Sequence, residues 1–385
     1  MRFKTNYPYI WVHGMLGWGD KEIIYKYLQY YGMMLGNLEM DLENMGFDIY
    51  APSVGSFSSA WDRACELYAQ LKGGTVDYGV AHSKEHGHER FGKTYEPFFE
   101  GWGSEKKINL FGHSFGGPTI RMLATLLEDG CKEEIDATAK DEISELFTGG
   151  KSGWIHSITC IASTHRGTTL MYSMPRFIKY LQKATTYAGD ISEGTWFSKI
   201  YDFQMGHFGF RDKSSDLVNT KAQQALNRGK DNIYYDLTLH GSRELNEKLK
   251  CHDDIYYFSI PVGKTTQKRF TYKRQQKPTL SMSPVWMIFG HSIGKYIKNE
   301  KNDIEIDSTW LPNDGLVNVI SATCPENQPS IDMHDVSEEY KKGIWHVYDP
   351  LPYDHTGILG GIPFKVNRAD IYSIYRDHMR LINNI

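Results

Sequence analysis

A chain of 385 residues, 40% hydrophobic and 23% charged, has ordinary globular composition. Its net charge is -4 with Lys and Arg scattered, which leaves no basic footprint for nucleic acid. No uninterrupted apolar run approaches the length of a membrane span, and the start, Met1-Arg2-Phe3-Lys4, lacks the apolar core of a signal peptide. Either a cytoplasmic protein or a chain beginning after a cleavage site is therefore expected. The five cysteines, Cys65, Cys131, Cys160, Cys251 and Cys324, form no close pair, so no CxxC zinc or redox motif is present and the fold is not expected to depend on bridges.

Ile10-Trp11-Val12 is a short apolar run ending at His13-Gly14, and it reads as a buried strand entering a tight turn. Tyr25 to Met45 has a helical pattern that stops at Gly46. Phe47 to Tyr50 reads as the next strand, and residues 62 to 100, with Gly73-Gly74 and a histidine-rich loop, read as an insertion. Ile108 to Phe111 is another strand, followed by glycines and a helix over Pro118 to Glu128, then a strand over Ile155 to Ala162. Strand, glycine turn and helix recurring in that order predict an α/β fold with a mostly parallel sheet and helices on its faces. Residues 171 to 240 read as a mostly helical insertion above the sheet, and the basic run Lys264 to Lys277 as a solvated loop or hairpin. A last strand is expected over Ile344 to Tyr348.

Gly112-His113-Ser114-Phe115-Gly116 matches the nucleophile elbow G-x-S-x-G. The chemistry needs the serine on a sharp strand-to-helix turn, and small flanking residues allow that turn. Here the motif follows a predicted strand and opens an amphipathic helix bearing Ile120, Leu123, Ala124 and Leu127 on one face. Gly290-His291-Ser292-Ile293-Gly294 fits the same pattern but precedes a poor core-facing helix, with too little chain left for the rest of a sheet. It is expected to be a chance match in a loop. The oxyanion hole is assigned to the backbone N–H groups of Phe115, after the nucleophile, and Met15, in the loop after the first strand. The acid and base must follow in the order Ser, Asp, His. Asp314, in a loop before an apolar run, and His355, after the last predicted strand, complete the expected triad.

Several longer segments carry a more specific signal. These are His13-Gly14-Met15-Leu16-Gly17-Trp18-Gly19, Trp61-Asp62-Arg63-Ala64-Cys65-Glu66, Gly73-Gly74-Thr75-Val76-Asp77-Tyr78-Gly79, His86-Gly87-His88, Tyr235-Asp236-Leu237 and Asn313-Asp314-Gly315. Over nearly the whole chain the sequence resembles the zinc-containing bacterial lipases, the group of thermoalkalophilic and staphylococcal enzymes. The resemblance implies one α/β-hydrolase domain over residues 1–385, with a zinc-binding insertion at about 60–100 and a lid or cap region at about 171–240. It implies triacylglycerol lipase or carboxylesterase activity, usually in a secreted enzyme, on an ester or lipid substrate at a lipid–water interface. A phospholipase, an acyltransferase or a polyester hydrolase would share the same triad. A non-catalytic lipid-binding protein is the rival from another class.

The resemblance also implies a structural Zn2+ held by Asp62, His82, His88 and Asp236. The family's calcium site beside the catalytic histidine maps to the Gly294 carbonyl and to Gly357 and Ile362. Those last two lack the family's carboxylates, so Ca2+ is not expected. Between Pro175 and Phe210, two runs of aromatic and aliphatic residues at helical spacing predict a pair of amphipathic helices. Thr185 to Asp190 is read as the hinge between them, and the resemblance places a mobile lid here.

Overall fold

The computed structural model describes residues 5–192, 195–210, 224–226, 228–268, 275–299, 304–336, 339–361 and 366–385. Its strands are β1 (Tyr9–Val12), β2 (Ile49–Tyr50), β3 (Gly74–Asp77), β4 (Phe91–Tyr95), β5 (Ile108–His113), β6 (Ile155–Ile161), β7 (Tyr256–Ile260), β8 (Thr265–Gln267), β9 (Gln276–Pro278), β10 (Ser330–Asp332) and β11 (Trp345–Val347). Helices follow as α1 (Leu38–Asn44), α2 (Ala60–Lys72), α3 (Val80–His86), α4 (Gly116–Glu128), α5 (Lys132–Ala137), α6 (Leu170–Ser173) and α7 (Pro175–Ser192). After them come α8 (Phe197–Ile200), α9 (Ile233–Asp236), α10 (Leu239–Lys248), α11 (Pro284–Ile293), α12 (Val319–Thr323) and α13 (Arg368–Asn383).

Seven strands form one sheet in the order β10-β11-β7-β6-β5-β1-β2, and every described pairing in it is parallel. Parallel strands covered on both faces must be apolar almost throughout. Accordingly β5 and β6 are buried at every position. One face is covered by α2 and α4, whose Leu67, Leu71, Ile120 and Leu123 pack with Ile10, Leu110 and Ile158. On the other face α1 and α13 pack Leu42, Ile371, Tyr375 and Met379 against Tyr9, Trp11, Phe111 and Phe258. This is the parallel sheet with helices on both faces expected from the recurring strand, glycine turn and helix, and the α/β-hydrolase arrangement that the resemblance implies.

The histidine-rich segment is built around α2 and the antiparallel pair β3–β4, with α3 between the two strands. The basic run after Lys264 enters a second small antiparallel pair, β8–β9; its residues 269–274 lie outside the described residues.

Three local expectations are corrected. The continuous helix over Tyr25 to Met45 is replaced by two short 3-10 turns, Ile23–Lys26 and Met33–Leu35, followed by α1. Gly32 and Gly36 lie between them at φ of 107° and 102°, outside the helical region, so the apolar periodicity cannot be realised as one helix. The expected hinge at Thr185 to Asp190 lies inside the single helix α7, where Thr185 Oγ1 donates back to the Leu181 carbonyl at 3.0 Å. The second aromatic run forms only the one-turn α8. Finally, the second G-x-S-x-G is not in a loop: it closes α11, which begins with Pro284 in its first turn. There Ser292 Oγ donates to the Ser173 carbonyl at 3.3 Å, and no strand leads into it.

Candidate active site and metal cluster

Ser114 stands between the end of β5 and the start of α4 at φ 56°, a left-handed conformation that a side chain adopts only under constraint. The constraint is packing. A methyl group on Gly112 would lie 2.5 Å from the Gly116 carbonyl carbon, and one on Gly116 would lie 2.4 Å from the Val12 carbonyl oxygen. Two glycines therefore let strand, turn and helix close on one another, and the Ser114 amide is tied to the Ile161 carbonyl at 2.9 Å.

His355 Nε2 is 2.9 Å from Ser114 Oγ, and His355 Nδ1 is 2.7 Å from Asp314 Oδ2. Asp314 is fixed in turn, because its Oδ1 accepts the Leu316 and Val317 amides at 2.9 and 2.7 Å. All three side chains are buried, with Ser114 8% exposed. Residues distant in sequence thus form one hydrogen-bonded line from carboxylate to hydroxyl, the arrangement that activates a serine.

The loop after β1 lies against the nucleophile: a methyl on Gly14 would meet Ser114 Cβ at 2.7 Å. Among the described residues no acceptor is found for the amides of Met15, directly after Gly14, and Phe115, directly after Ser114. Two groups hold this loop that the sequence reading did not single out. Arg63 is fully buried and donates to the carbonyls of His13 and Gly55 and, at 2.8 Å, to Thr119 Oγ1 on α4. Tyr30 Oη accepts the Gly14 amide at 3.1 Å and reaches His113 Nδ1 at 2.7 Å, while His113 Nε2 reaches the His355 carbonyl at 3.0 Å. Burial, then the neighbouring His355, drives the His113 pKa far down, so it is a neutral connector: Tyr30 donates to Nδ1 and Nε2–H donates to His355. The middle residue of the G-x-S motif therefore links the oxyanion loop to the base.

His355 is also held from α11. Asp354 Oδ2 accepts the Ser283 amide at 2.7 Å and Asp354 Oδ1 the Gly357 amide at 2.8 Å, and Trp286 Nε1 donates to Thr356 Oγ1 at 2.8 Å. These contacts bear on the calcium position. The Gly294 carbonyl already accepts the Gln276 amide at 2.7 Å, both Asp354 oxygens hold backbone donors, and Gly357 offers no side-chain oxygen. Ile362 lies outside the described residues.

The metal cluster differs from the expected ligand set by one residue. Asp62, His82 and His88 come together with Asp231, not with Asp236. His82 Nε2 lies 3.3 Å from Asp62 Oδ1 and 3.2 Å from Asp231 Oδ1, and His88 Nε2 lies 3.1 Å from Asp231 Oδ2 and 3.9 Å from Asp62 Oδ1. Asp62 Oδ1, His82 Nε2, His88 Nε2 and Asp231 Oδ2 are buried with no hydrogen-bond partner. Four orphaned buried atoms aimed at one point are costly unless a cation satisfies them. Their separations bracket the edge of about 3.3 Å that a tetrahedral ion with bonds near 2.0 Å imposes. Burial disfavours a charged His82, yet Asp231 and Asp62 outweigh it and raise the imidazole pKa to about 10, a sign of how strongly the two carboxylates call for positive charge. His207 Nε2 donates to the other Asp62 oxygen at 3.0 Å and Trp61 stacks on His82, supports that the sequence reading did not identify.

Asp236 does a different job. Its Oδ2 accepts the Ala60 amide at 2.9 Å at the first turn of α2, and burial raises its pKa to about 7. It lines a cleft of about 340 Å³ with His86 and Glu134, and the cluster residues His82 and Asp231 form part of the same wall. Ser114 is not among the residues lining that cleft.

Comparison with known proteins gives the family of the chain. The family described as "Lipase-like, C-terminal domain" matches residues 5–381. Lipase 1 of Staphylococcus aureus is 36% identical over 373 residues, covering 93% of this chain and 51% of the relative, so the chain spans about half the length of the curated relatives it matches. Among solved structures, the Staphylococcus hyicus lipase aligns with a TM-score of 0.85 at 30% identity, covering 100% of this chain and 97% of that one. EstA from Clostridium botulinum aligns at 0.82 and 34%, covering 100% and 89%. Lipase 1 from Pelosinus fermentans aligns at 0.81 and 36%, covering 99% of each.

Proposed function

The chain belongs to the lipase-like C-terminal-domain family, and from that premise we propose that it hydrolyses carboxylic esters, triacylglycerols or related lipids, through an acyl-enzyme on Ser114. The observation that carries this reading is the unbroken Ser114–His355–Asp314 hydrogen-bond line on a strained elbow. In the reaction, Ser114 Oγ attacks the ester carbonyl while His355 Nε2 takes its proton. The negative oxygen of the tetrahedral intermediate is received by the Met15 and Phe115 amides, and a donor of this kind is worth about 3 kcal/mol in the transition state. His355 then protonates the departing alkoxide, and water repeats the sequence to release the acid. Asp314 orients the imidazole and stabilises its charged form.

The four-residue cluster is read as a structural Zn2+ site of Asp62, His82, His88 and Asp231, because two imidazole nitrogens and two carboxylate oxygens suit that ion and fill its shell. When bound, the ion supplies charge neutralisation and cross-links α2, the β3–β4 segment and the chain before α9. No described helix is long and apolar enough to cross a membrane, and an extracellular location, as in the resembling enzymes, is the accompanying proposal. The whole described chain is read as one domain.

The test is a pre-steady-state burst with a p-nitrophenyl ester. A burst is expected from the intact protein and from Ser292→Ala, while Ser114→Ala should lose activity by roughly 10⁴-fold or more with its fold kept. A dead Ser292→Ala beside an active Ser114→Ala overturns the assignment.

A further inference from the structure

The cleft beside the metal cluster touches only part of it. Of the four clustered side chains, His82 and Asp231 line the cleft, while Asp62 and His88 do not. Residual exposure follows the same division: the His82 and Asp231 side chains are 11% and 6% exposed, those of His88 and Asp62 1% and 0%. Asp62 and His88 are covered by groups that lie outside the cleft wall. His207 Nε2 donates to Asp62 Oδ2 at 3.0 Å, and the rings of Tyr78 and Phe208 stand 5.6 and 6.0 Å from that of His88. A cation approaching the four orphaned atoms through the cleft would therefore meet His82 and Asp231 first.

The cleft has the size and the charge to admit a hydrated cation. Its volume of about 340 Å³ is far above the roughly 10–15 Å³ that one water needs, so an ion can enter with water still attached. On its walls the carboxylates of Glu85, Glu133, Glu134, Asp236 and Glu244 outnumber the ammonium groups of Lys230 and Lys248, and Lys230 is itself tied to Glu244 at 2.9 Å. A cleft dominated by one sign of charge concentrates the opposite ion.

His86 stands where cleft and cluster meet. It ends α3 one helical turn after His82, so the two imidazoles share a face, and their ring centroids lie 4.5 Å apart. Gly87 follows in a left-handed conformation at φ 77°, and the turn it makes returns His88 to the cluster while His86 stays on the cleft wall. His86 is half-buried, it is not one of the four clustered ligands, and neither of its ring nitrogens is hydrogen-bonded among the described residues. An imidazole nitrogen is a good zinc donor, and zinc can pass through five-coordinate arrangements.

We propose that this cleft is the passage by which the metal ion enters and leaves the cluster, and that His86 is the transfer ligand at the cluster's edge. This rests on the reading of Asp62, His82, His88 and Asp231 as a Zn2+ site. On entry, His86 replaces a water of the arriving ion and hands it to His82 and Asp231. On exit, His86 takes the place of whichever of these lets go, and water then replaces His86. Each exchange trades one coordinate bond for another, with no change of oxidation state. A group that touches the ion only in passage lowers the barrier equally in both directions, so it sets the rates and leaves the affinity alone.

The experiment follows release of zinc from the loaded full chain into an excess of a chromogenic chelator, and measures Kd by titration against the same chelator. The uptake rate is the release rate divided by Kd. His86→Ala and His86→Phe should each slow release by about ten-fold or more, with Kd within about three-fold of the unmodified chain and the zinc stoichiometry kept. His86→Phe keeps a ring beside His82 and removes only the nitrogens, so it separates ligation from packing. His86→Asp returns a donor at the same place and should bring release back to within about three-fold. Glu85→Lys with Glu133→Lys, both exposed on the wall, should slow uptake by about three-fold or more at low salt and less at high salt. Release at the unmodified rate from the Ala or the Phe variant overturns the proposal. Faster release with weaker binding also overturns it, because His86 would then hold the ion and not pass it on. Uptake untouched by the two Lys changes overturns the cleft as the passage. An unmodified chain that binds no zinc sinks the cluster reading and this proposal together, whereas normal stoichiometry with unchanged rates sinks the proposal alone.

Discussion

Asp231 and Asp236 show how a single residue can decide a metal site. They are five positions apart, and the short motif Tyr235-Asp236-Leu237 drew the ligand assignment to the second. The one-turn helix α9 separates them: Asn232 caps it with its side chain accepting the Tyr235 amide at 3.1 Å, so Asp231 lies before the helix and Asp236 at its end. Composition and spacing carry no information about which carboxylate reaches His82, because that depends on how α9 is set against α2. Asp231→Asn should therefore abolish stoichiometric metal binding, whereas Asp236→Asn should retain the ion and lose about 1–2 kcal/mol, the worth of a charge-assisted bond at a helix start; elemental analysis and thermal melts of the two variants separate these outcomes. Ser114, Asp314 and His355, by contrast, are picked out by chain order and by the strand-to-helix context of the elbow, and the structure brings these three side chains together. What holds them is not picked out that way. Asp354 reads as an ordinary loop acid, yet its carboxylate joins the His355 loop to the first turn of α11. Asp354→Asn is expected to lower kcat by about ten- to a hundred-fold with KM little changed, because misplacing a catalytic group by an ångström costs on that order. Added calcium should not restore it, and steady-state kinetics with and without chelator checks both points.

At the level of elements, the regular repeats were readable and the departures from them were not. Strand β5 and helix α4 follow from an apolar run, two glycines and a periodic stripe, and they appear where expected. The long helix expected before Gly46 failed because periodicity counts apolar positions and ignores the positive φ at Gly32 and Gly36. The reverse holds for α7. Small residues at Thr185 to Gly189 resemble a break, but Thr185 Oγ1 lies 2.5 Å from Tyr234 Oη and Gly189 nestles against Met205 and Phe210, so tertiary packing carries the helix through. Any opening of this region must then move α7 as a rod, turning at its ends. Trp196 and Phe197, in tilted ring contact with centroids 4.9 Å apart, are exposed beyond one of those ends. Trp196→Ser or Phe197→Ser should reduce hydrolysis of long-chain esters at an emulsion by about ten-fold or more while sparing dissolved acetate esters, the loss of a buried aromatic contact being worth roughly 1.5–3 kcal/mol. Rates on p-nitrophenyl esters of increasing acyl length test this, and an equal fall on both classes would make the segment fixed core.

Across the whole molecule, the sheet supplies the frame, and the metal cluster, once it holds an ion, would supply a cross-link at its flank. Asp62, His82, His88 and Asp231 come from α2, α3, the turn before β4 and the chain before α9, so a single ion would join four segments of the chain. Exhaustive chelation should lower Tm by at least roughly 5 °C, as expected when a ligand bound only by the folded state is withdrawn. Calorimetry with and without chelator, and with zinc returned, measures it; an unchanged Tm would remove the ion from the account of stability. Along α2, the residue after Asp62 is Arg63, whose buried guanidinium holds the carbonyls of His13 and Gly55 beside the oxyanion loop. The anchor for the ion and the anchor for the catalytic loop are thus consecutive links of one helical turn. Removing the ion is therefore expected to lower the proposed ester hydrolysis before the fold is lost, and turnover would then report the trace-metal supply of wherever the protein works.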